Sequence, residues 1–169
     1  MINKKIEDAL NKQINEELFS AYIYFSMSAY FTSLNLMGFA NWMNVQAQEE
    51  MTHVIKFCHY LQDRGGRVEL FAIEKPQKSW KSPIDAFNEA LKHEQHITKL
   101  INGLVDLSIK EKDHASNQFL QWFVTEQVEE EASADEIIQK LKLVGNQGEA
   151  IYMLDKEMAQ RVFTPPPAK

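Results

Sequence analysis

Apolar residues recur at steps of three and four along four long stretches of the chain, the spacing of a helix that turns one face to a core. The first stretch places Leu10, Ile14, Glu17, Ala21, Tyr24 and Ser28 on that face, in a helix predicted from Asn3, its N-cap, to about Phe31. The second places Phe39, Met43, Gln46, Glu50, His53, Phe57 and Tyr60 there, from about Met37 to Arg64, and Gly65-Gly66 supplies its stop. The third stripe is Phe87, Ala90, Glu94, Ile97, Ile101 and Leu104. Its helix opens at Ser82-Pro83-Ile84-Asp85, an N-cap followed by proline at the first helical position, and reaches about Lys110. The fourth, with Phe123, Gln127, Glu130, Ala134, Ile137 and Leu141, follows Glu111-Lys112-Asp113 and runs to about Val144. Asn146 offers an N-cap to a shorter fifth helix through about Arg161. The stripe of that helix, Ile151, Leu154 and Met158, is surplus to a closed four-helix core and needs a partner. The sequence thus reads as one domain over residues 1–161, followed by an extended, proline-rich tail over 162–169.

Loop lengths set the topology. The joints between the first and second helices, and between the third and fourth, are short, which makes each pair antiparallel neighbours. The stretch from Gly65 to Lys81 has poor helical periodicity and contains Pro76. Extended, its roughly 17 residues reach about 55 Å, whereas a helix of roughly 28 residues spans about 42 Å. The connection can therefore cross the whole bundle and leave the second and third helices parallel. The expected fold is all-α: a four-helix bundle with one long crossover and a short fifth helix.

Each of the four stripes carries an acid near the midpoint of its helix: Glu17, Glu50, Glu94 and Glu130. Midpoints coincide whichever way a helix runs, so the four acids should meet at one level of the bundle. An unpaired buried charge costs several kcal/mol, and acids on four successive helices ask for a common counter-ion. Two divalent cations would balance them charge for charge. Glu50-Met51-Thr52-His53 adds an imidazole on the same face at i,i+3 spacing, while the fourth helix offers Gln127-Val128-Glu129-Glu130. One nitrogen among carboxylate oxygens suits a labile iron or manganese ion better than a closed thiolate zinc site, and these ligand types do not separate the two metals. His93-Glu94-Gln95-His96 is one residue short of a zinc-protease motif. With Glu94 pointing inward, both histidines turn roughly 100–200° away and are expected at the surface, as are His59 and His114. Trp122 is expected to pack.

Composition narrows the partners. The net charge is −6 with no Lys/Arg block, which disfavours nucleic acid and is compatible with attracting cations. No apolar run approaches a membrane span, and the charged N-terminus lacks the apolar core of a signal peptide. The single Cys58 fits a reducing compartment, so a cytoplasmic location is expected.

Glu17 and Tyr24, the run Gln48-Glu49-Glu50-Met51-Thr52-His53, Glu94, and Glu126-Gln127-Val128-Glu129-Glu130 together resemble the ferritin family, and within it the bacterial non-haem ferritins, over nearly the whole chain. The resemblance implies a ferritin-like bundle with a diiron ferroxidase centre. Glu17, Glu50 and His53 would hold the first iron. A bridging Glu50 with Glu94 and Glu130 would hold the second, with Gln127 close by and Tyr24 as a hydrogen-bond partner. It also implies a third iron site of Glu49, Glu126, Glu129 and Glu130. Fe(II) would be oxidised by dioxygen or hydrogen peroxide and stored as ferric mineral inside a cage of twenty-four subunits, with the fifth helix lining the fourfold axes. Bacterioferritins bind haem through a methionine in a setting similar to that of Met51. The missing fourth-helix histidine points instead to the non-haem relatives, and no haem is expected. Rubrerythrin-like peroxidases need Cys-x-x-Cys pairs, which one cysteine cannot supply. The DNA-protecting miniature ferritins lack this intrachain set. A structural bundle that merely tolerates buried acids is the non-enzymatic alternative, and it would bind no iron.

Overall fold

Local hydrogen bonds start three of the long helices where the sequence places them. In the computed structural model, described for residues 1–145 and 147–165, the helices are α1 (Lys4–Ser33), α2 (Met37–Asp63), α3 (Pro83–Lys110), α4 (His114–Val144) and α5 (Gly148–Met158). The side chain of Asn3 accepts from the Lys5 amide at 2.9 Å, Ser82 from Asp85 at 3.3 Å and Asp113 from Ser116 at 3.0 Å. The two short joints turn through left-handed backbone at Asn35 and Lys112, and Gly65, with φ +71°, closes α2.

The start of α2 is different, because it has no side-chain cap of its own. Asp155 of α5 supplies one, accepting from the amides of Gly38 at 2.8 Å and Phe39 at 3.0 Å. This approach requires a glycine: a Cβ at position 38 would stand 1.6 Å from the carbonyl oxygen of Asp155.

The connection from α2 to α3 runs the length of the bundle. Asn11, near the start of α1, donates to the Arg67 carbonyl and accepts from the Glu69 amide. Ser26 then donates to the Gln77 carbonyl, and Tyr30 to that of Trp80. From Asn11 to Tyr30 the helix rises about 28 Å, so α2 and α3 are parallel, as the loop length predicts.

Two apolar clusters fill the ends of the bundle. One gathers Phe31, Phe39, Met43, Phe87 and Leu141, the other Leu10, Ile14, Phe57, Ile101 and Phe123. Between them lies a polar layer of buried side chains from all four long helices.

Two expectations for the C-terminal region change. The last helix ends at Met158 rather than Arg161. Its stripe also needs no second molecule: Leu154 and Met158 are buried in the first apolar cluster, against α2 and α4 of the same chain. The expected cap Asn146 lies outside the described residues, and the cap position is Gln147. Residues 162–165 are non-helical, and the rest of the expected tail, 166–169, lies outside the described residues. No helix among the described residues is long and apolar enough to cross a membrane.

Candidate metal centre

The midpoint acids meet as the stripes predict. Glu17, Glu50, His53 and Glu94 are each no more than 2% exposed, Gln127 is 4% and Glu130 6%. Glu17, Glu50 and His53 bring one ligand atom each within 4.8 Å of one another, and so do His53, Glu126 and Glu130. His53 is the hinge of the arrangement. Its Nδ1 lies 3.2 Å from Glu50 Oε2 and 3.6 Å from Glu17 Oε2, while its Nε2 lies 3.9 Å from Glu126 Oε1.

Neutral donors orient the acids. Gln13, one turn before Glu17, donates to it at 2.7 Å. Gln46, one turn before Glu50, donates to Glu130 at 2.5 Å and reaches Glu50 at 3.4 Å. The Tyr24 hydroxyl donates to Glu94 Oε1, and Gln127 donates to Glu94 Oε2 at 3.2 Å. Such bonds fix which way each carboxylate faces before a ligand arrives.

Burial dominates the electrostatics. It pushes the Glu50 carboxyl well above the usual range, opposed by His53 and reinforced by Glu94 and Glu17. Glu94 is pushed up to about 7 by burial, against the hydrogen bonds from Tyr24 and Gln127. Burial and then the charge of Glu94 push Glu130 up to about 8. Burial alone would lower His53, yet Glu50, Glu126 and Glu17 together hold its imidazole well above the ordinary value. Burial, followed by Glu94, also raises the Tyr24 phenol far above its usual value. These acids crowd one another in a medium that disfavours their charge, the setting in which a dication displaces protons most readily.

Two details suit a cation. Glu17 Oε2 and Gln46 Oε1 are buried without a hydrogen-bond partner, although orphaned buried acceptors are rare. The donor set is four carboxylates and one imidazole, hard oxygen ligands with a single nitrogen, which fits two iron or manganese ions.

The residues expected around a third ion are only partly brought together, Glu126 and Glu130 converging on His53. Glu126 faces His53, whereas Glu129 is exposed. The carboxylate of Glu49 is ion-paired with Arg161, Nη2 to Oε2, at 2.5 Å. His93 departs from expectation outright. It is buried, with Nε2 2.7 Å from Ser20 Oγ and its ring edge-on to Phe19 and Tyr24. Burial, then the neighbouring His96, pushes it down to about 4, so it is neutral at pH 7. The reason is geometric: the small Ser20 on α1 leaves room for a ring one step off the Glu94 stripe. His96 stays at the surface beside Glu16, as do His59 and His114. Trp122 packs, its ring against His53 and beneath the Lys56 ammonium. Met51 lies at the surface.

The sequence reading gave no role to Gln13 or Gln46. Each stands four residues before an inward acid, the i,i+4 spacing of a Gln–carboxylate bond, and that signal was available.

The sequence and the fold are matched among known proteins. The Ferritin-like domain family matches residues 7–144. A bacterial non-heme ferritin of Bacteroides fragilis is 42% identical over 161 residues, covering 95% of this chain and 100% of that protein. One from Staphylococcus aureus is 37% identical over 163 residues, covering 96% of this chain and 98% of its own length. Among solved structures, an Archaeoglobus fulgidus ferritin engineered into a closed form superposes with a TM-score of 0.96 at 51% identity, over 97% of this chain and 100% of that one. An open-pore ferritin from the same archaeon gives 0.94 at 50%, over 95% and 98%. Matched nearly end to end in sequence and in fold, the chain belongs to the ferritin family of iron-storage proteins.

Proposed function

We propose that the buried polar layer is a ferroxidase centre whose substrate is Fe(II). The observation that carries this reading is the convergence of Glu17, Glu50, His53, Glu94 and Glu130 from four helices at one level, with Glu17 Oε2 left without a hydrogen bond. Glu17, Glu50 and His53 hold one ion. Glu50 bridges to a second, shared with Glu94 and Glu130, and Gln127 keeps Glu94 turned toward it. Tyr24 holds the other oxygen of Glu94, and Glu126 borders the pair beside His53. Ligand chemistry alone would also accept manganese; family membership selects iron.

The two Fe(II) ions each give up one electron, and dioxygen takes both. With two protons, the products are two Fe(III) and one hydrogen peroxide. The protein supplies orientation, charge balance and carboxyl groups that release protons as the ions bind, while the metal pair supplies the electrons. Fe(III) then leaves for a mineral store enclosed by further copies of the chain.

Exposed apolar side chains support assembly. Tyr22 and Phe25 are one turn apart on α1, and Leu70, Phe71 and Ile73 lie on the crossover that runs along the bundle. Residues of this kind call for cover by a second molecule. A homo-oligomeric cage of twenty-four subunits in the cytoplasm, where Cys58 stays reduced, is the assembly proposed. Iron loading in air, with oxygen uptake and particle mass measured together, tests the whole reading. Fast Fe(II) oxidation that survives both Glu50→Ala and His53→Ala unchanged would sink it.

A further inference from the structure

Arg161 lies beyond the end of α5, yet its side chain reaches the edge of the metal centre. Three residues hold it there. Asn41 Nδ2 donates to its carbonyl oxygen at 2.9 Å, which pins the backbone. The guanidinium lies 4.3 Å over the ring of Trp42 and donates through Nη1 to the Trp42 carbonyl at 3.4 Å. Its Nη2 donates to Glu49 Oε2 at 2.5 Å. Both partners are largely sheltered, with the Arg161 side chain 23% exposed and that of Glu49 26%. A stacked, planar guanidinium bonded to a carboxylate is hard to replace, even by lysine.

Glu49 adjoins Glu50 on α2 and is close enough to His53, Glu126 and Glu130 for their charges to be felt. Of the four carboxylates that resemblance assigns to a third ion, Glu126 and Glu130 join His53 in a group whose ligand atoms lie within 4.8 Å of one another, and among the described residues Glu49 and Glu129 join no such group. Glu129 is exposed, and Glu49 is taken. The set needed by a third dication is therefore not assembled. Assembling it requires Glu49 to leave Arg161, and the incoming ion would meet a fixed positive charge beside two dications.

We propose that Arg161 is a built-in counter-ion that withholds Glu49 from metal, so that each subunit binds two ions at high affinity and not three. The inference rests on the ferroxidase reading of the neighbouring residues. It also ties the number of ions bound to the docking of α5, because the same segment carries Asp155, the cap of α2, and Arg161, the latch on Glu49. Arg161 is thus a specificity-determining residue that touches no metal.

Calorimetric titration of the full-length protein, stripped of metal, with Zn(II) as a redox-silent probe tests this. The wild type should bind two ions per subunit and Arg161→Gln three. Combining Arg161→Gln with Glu49→Gln should return the number to two. Two ions in Arg161→Gln, or three in the wild type falling to two in Glu49→Gln, overturn the inference alone. If the Arg161 variants do not fold, Glu49→Gln by itself decides: an unchanged two supports the latch and a loss refutes it. Failure of the ferroxidase reading shows separately, as no bound Zn(II) or as binding untouched by Glu50→Ala.

Discussion

The side-chain amide of Gln46 on α2 donates to the carboxylate of Glu130 on α4 at 2.5 Å, across the centre of the bundle. The same nitrogen reaches Glu50 at 3.4 Å. One neutral group therefore sets the spacing of two proposed ligands that would otherwise repel each other. The amide cannot form the bond from solvent, because Gln46 is fully buried. Its position is fixed by the helix, and through it the position of Glu130 is fixed as well.

Gln46→Leu keeps the volume and removes the donor. Glu130 should then lose its orientation, and groups that orient metal ligands contribute about 10–100-fold in affinity. We expect Zn(II) to bind roughly that much more weakly at one of the two sites, and Fe(II) oxidation to slow in step, in a protein that still folds. Unchanged affinity for both ions would leave Gln46 as packing only.

Protein stripped of metal should become less stable as pH rises through neutrality. Glu94 and Glu130 stand at about 7 and about 8, raised from 4.5 mainly by burial, and Glu50 is raised well above 4.5 for the same reason. The folded protein therefore binds protons that the unfolded chain releases from about pH 4.5 upward. The stability from these groups is fully present below that value and is lost as pH rises through the folded values. Bound dications reverse the trend, because they need the same carboxyls deprotonated. Melting temperatures at pH 5.5 and 8, with and without Zn(II), should cross, and Zn(II) binding at pH 7 should release protons. A metal-stripped protein equally stable at both pH values would count against this account.

Local chemistry was legible in the sequence, and distant contacts were not. Asn3 and Ser82 were readable as caps because their bonds close within three residues, and Asp113 caps the fourth helix over the same short span. The start of α2 was less so, since its cap is Asp155, 117 residues away from Gly38. The acid layer was legible because helix midpoints coincide in any bundle of equal helices. His93 was misplaced because a stripe counted at strict spacing is narrower than the arc that α3 buries. The α5 stripe reads as needing an external partner because nothing local says that α2 and α4 leave a place for Leu154 and Met158. The Arg161–Glu49 pair was out of reach for the same reason.

His93→Ala tests whether that buried ring is structural. The substitution opens a hole beside Tyr24 and leaves Ser20 without its ring partner. We expect a loss of about 2–3 kcal/mol in chemical denaturation, with two Zn(II) ions still bound per subunit. A missing ion would make His93 a metal ligand.

Gly38→Ala should detach α5 without emptying the metal centre. The new Cβ would stand 1.6 Å from the Asp155 carbonyl oxygen, 2.5 Å from its carbon and 3.0 Å from the Ala159 amide nitrogen. All three are backbone atoms, so no side chain can swing aside, and the helix itself must move. The move also strips α2 of its cap, a contribution of about 1 kcal/mol, and uncovers Leu154 and Met158. Backbone amides of α5 should exchange with solvent faster by orders of magnitude, while those of α1 to α4 at the level of Glu50 stay protected. Asp155→Ala removes the cap and leaves the close approach intact, so its effect on exchange should be smaller. Because Arg161 follows α5, its grip on Glu49 should also loosen in Gly38→Ala, and a third Zn(II) ion should bind there as in Arg161→Gln. Slow exchange throughout α5 in Gly38→Ala would mean that the helix is held by something other than this contact.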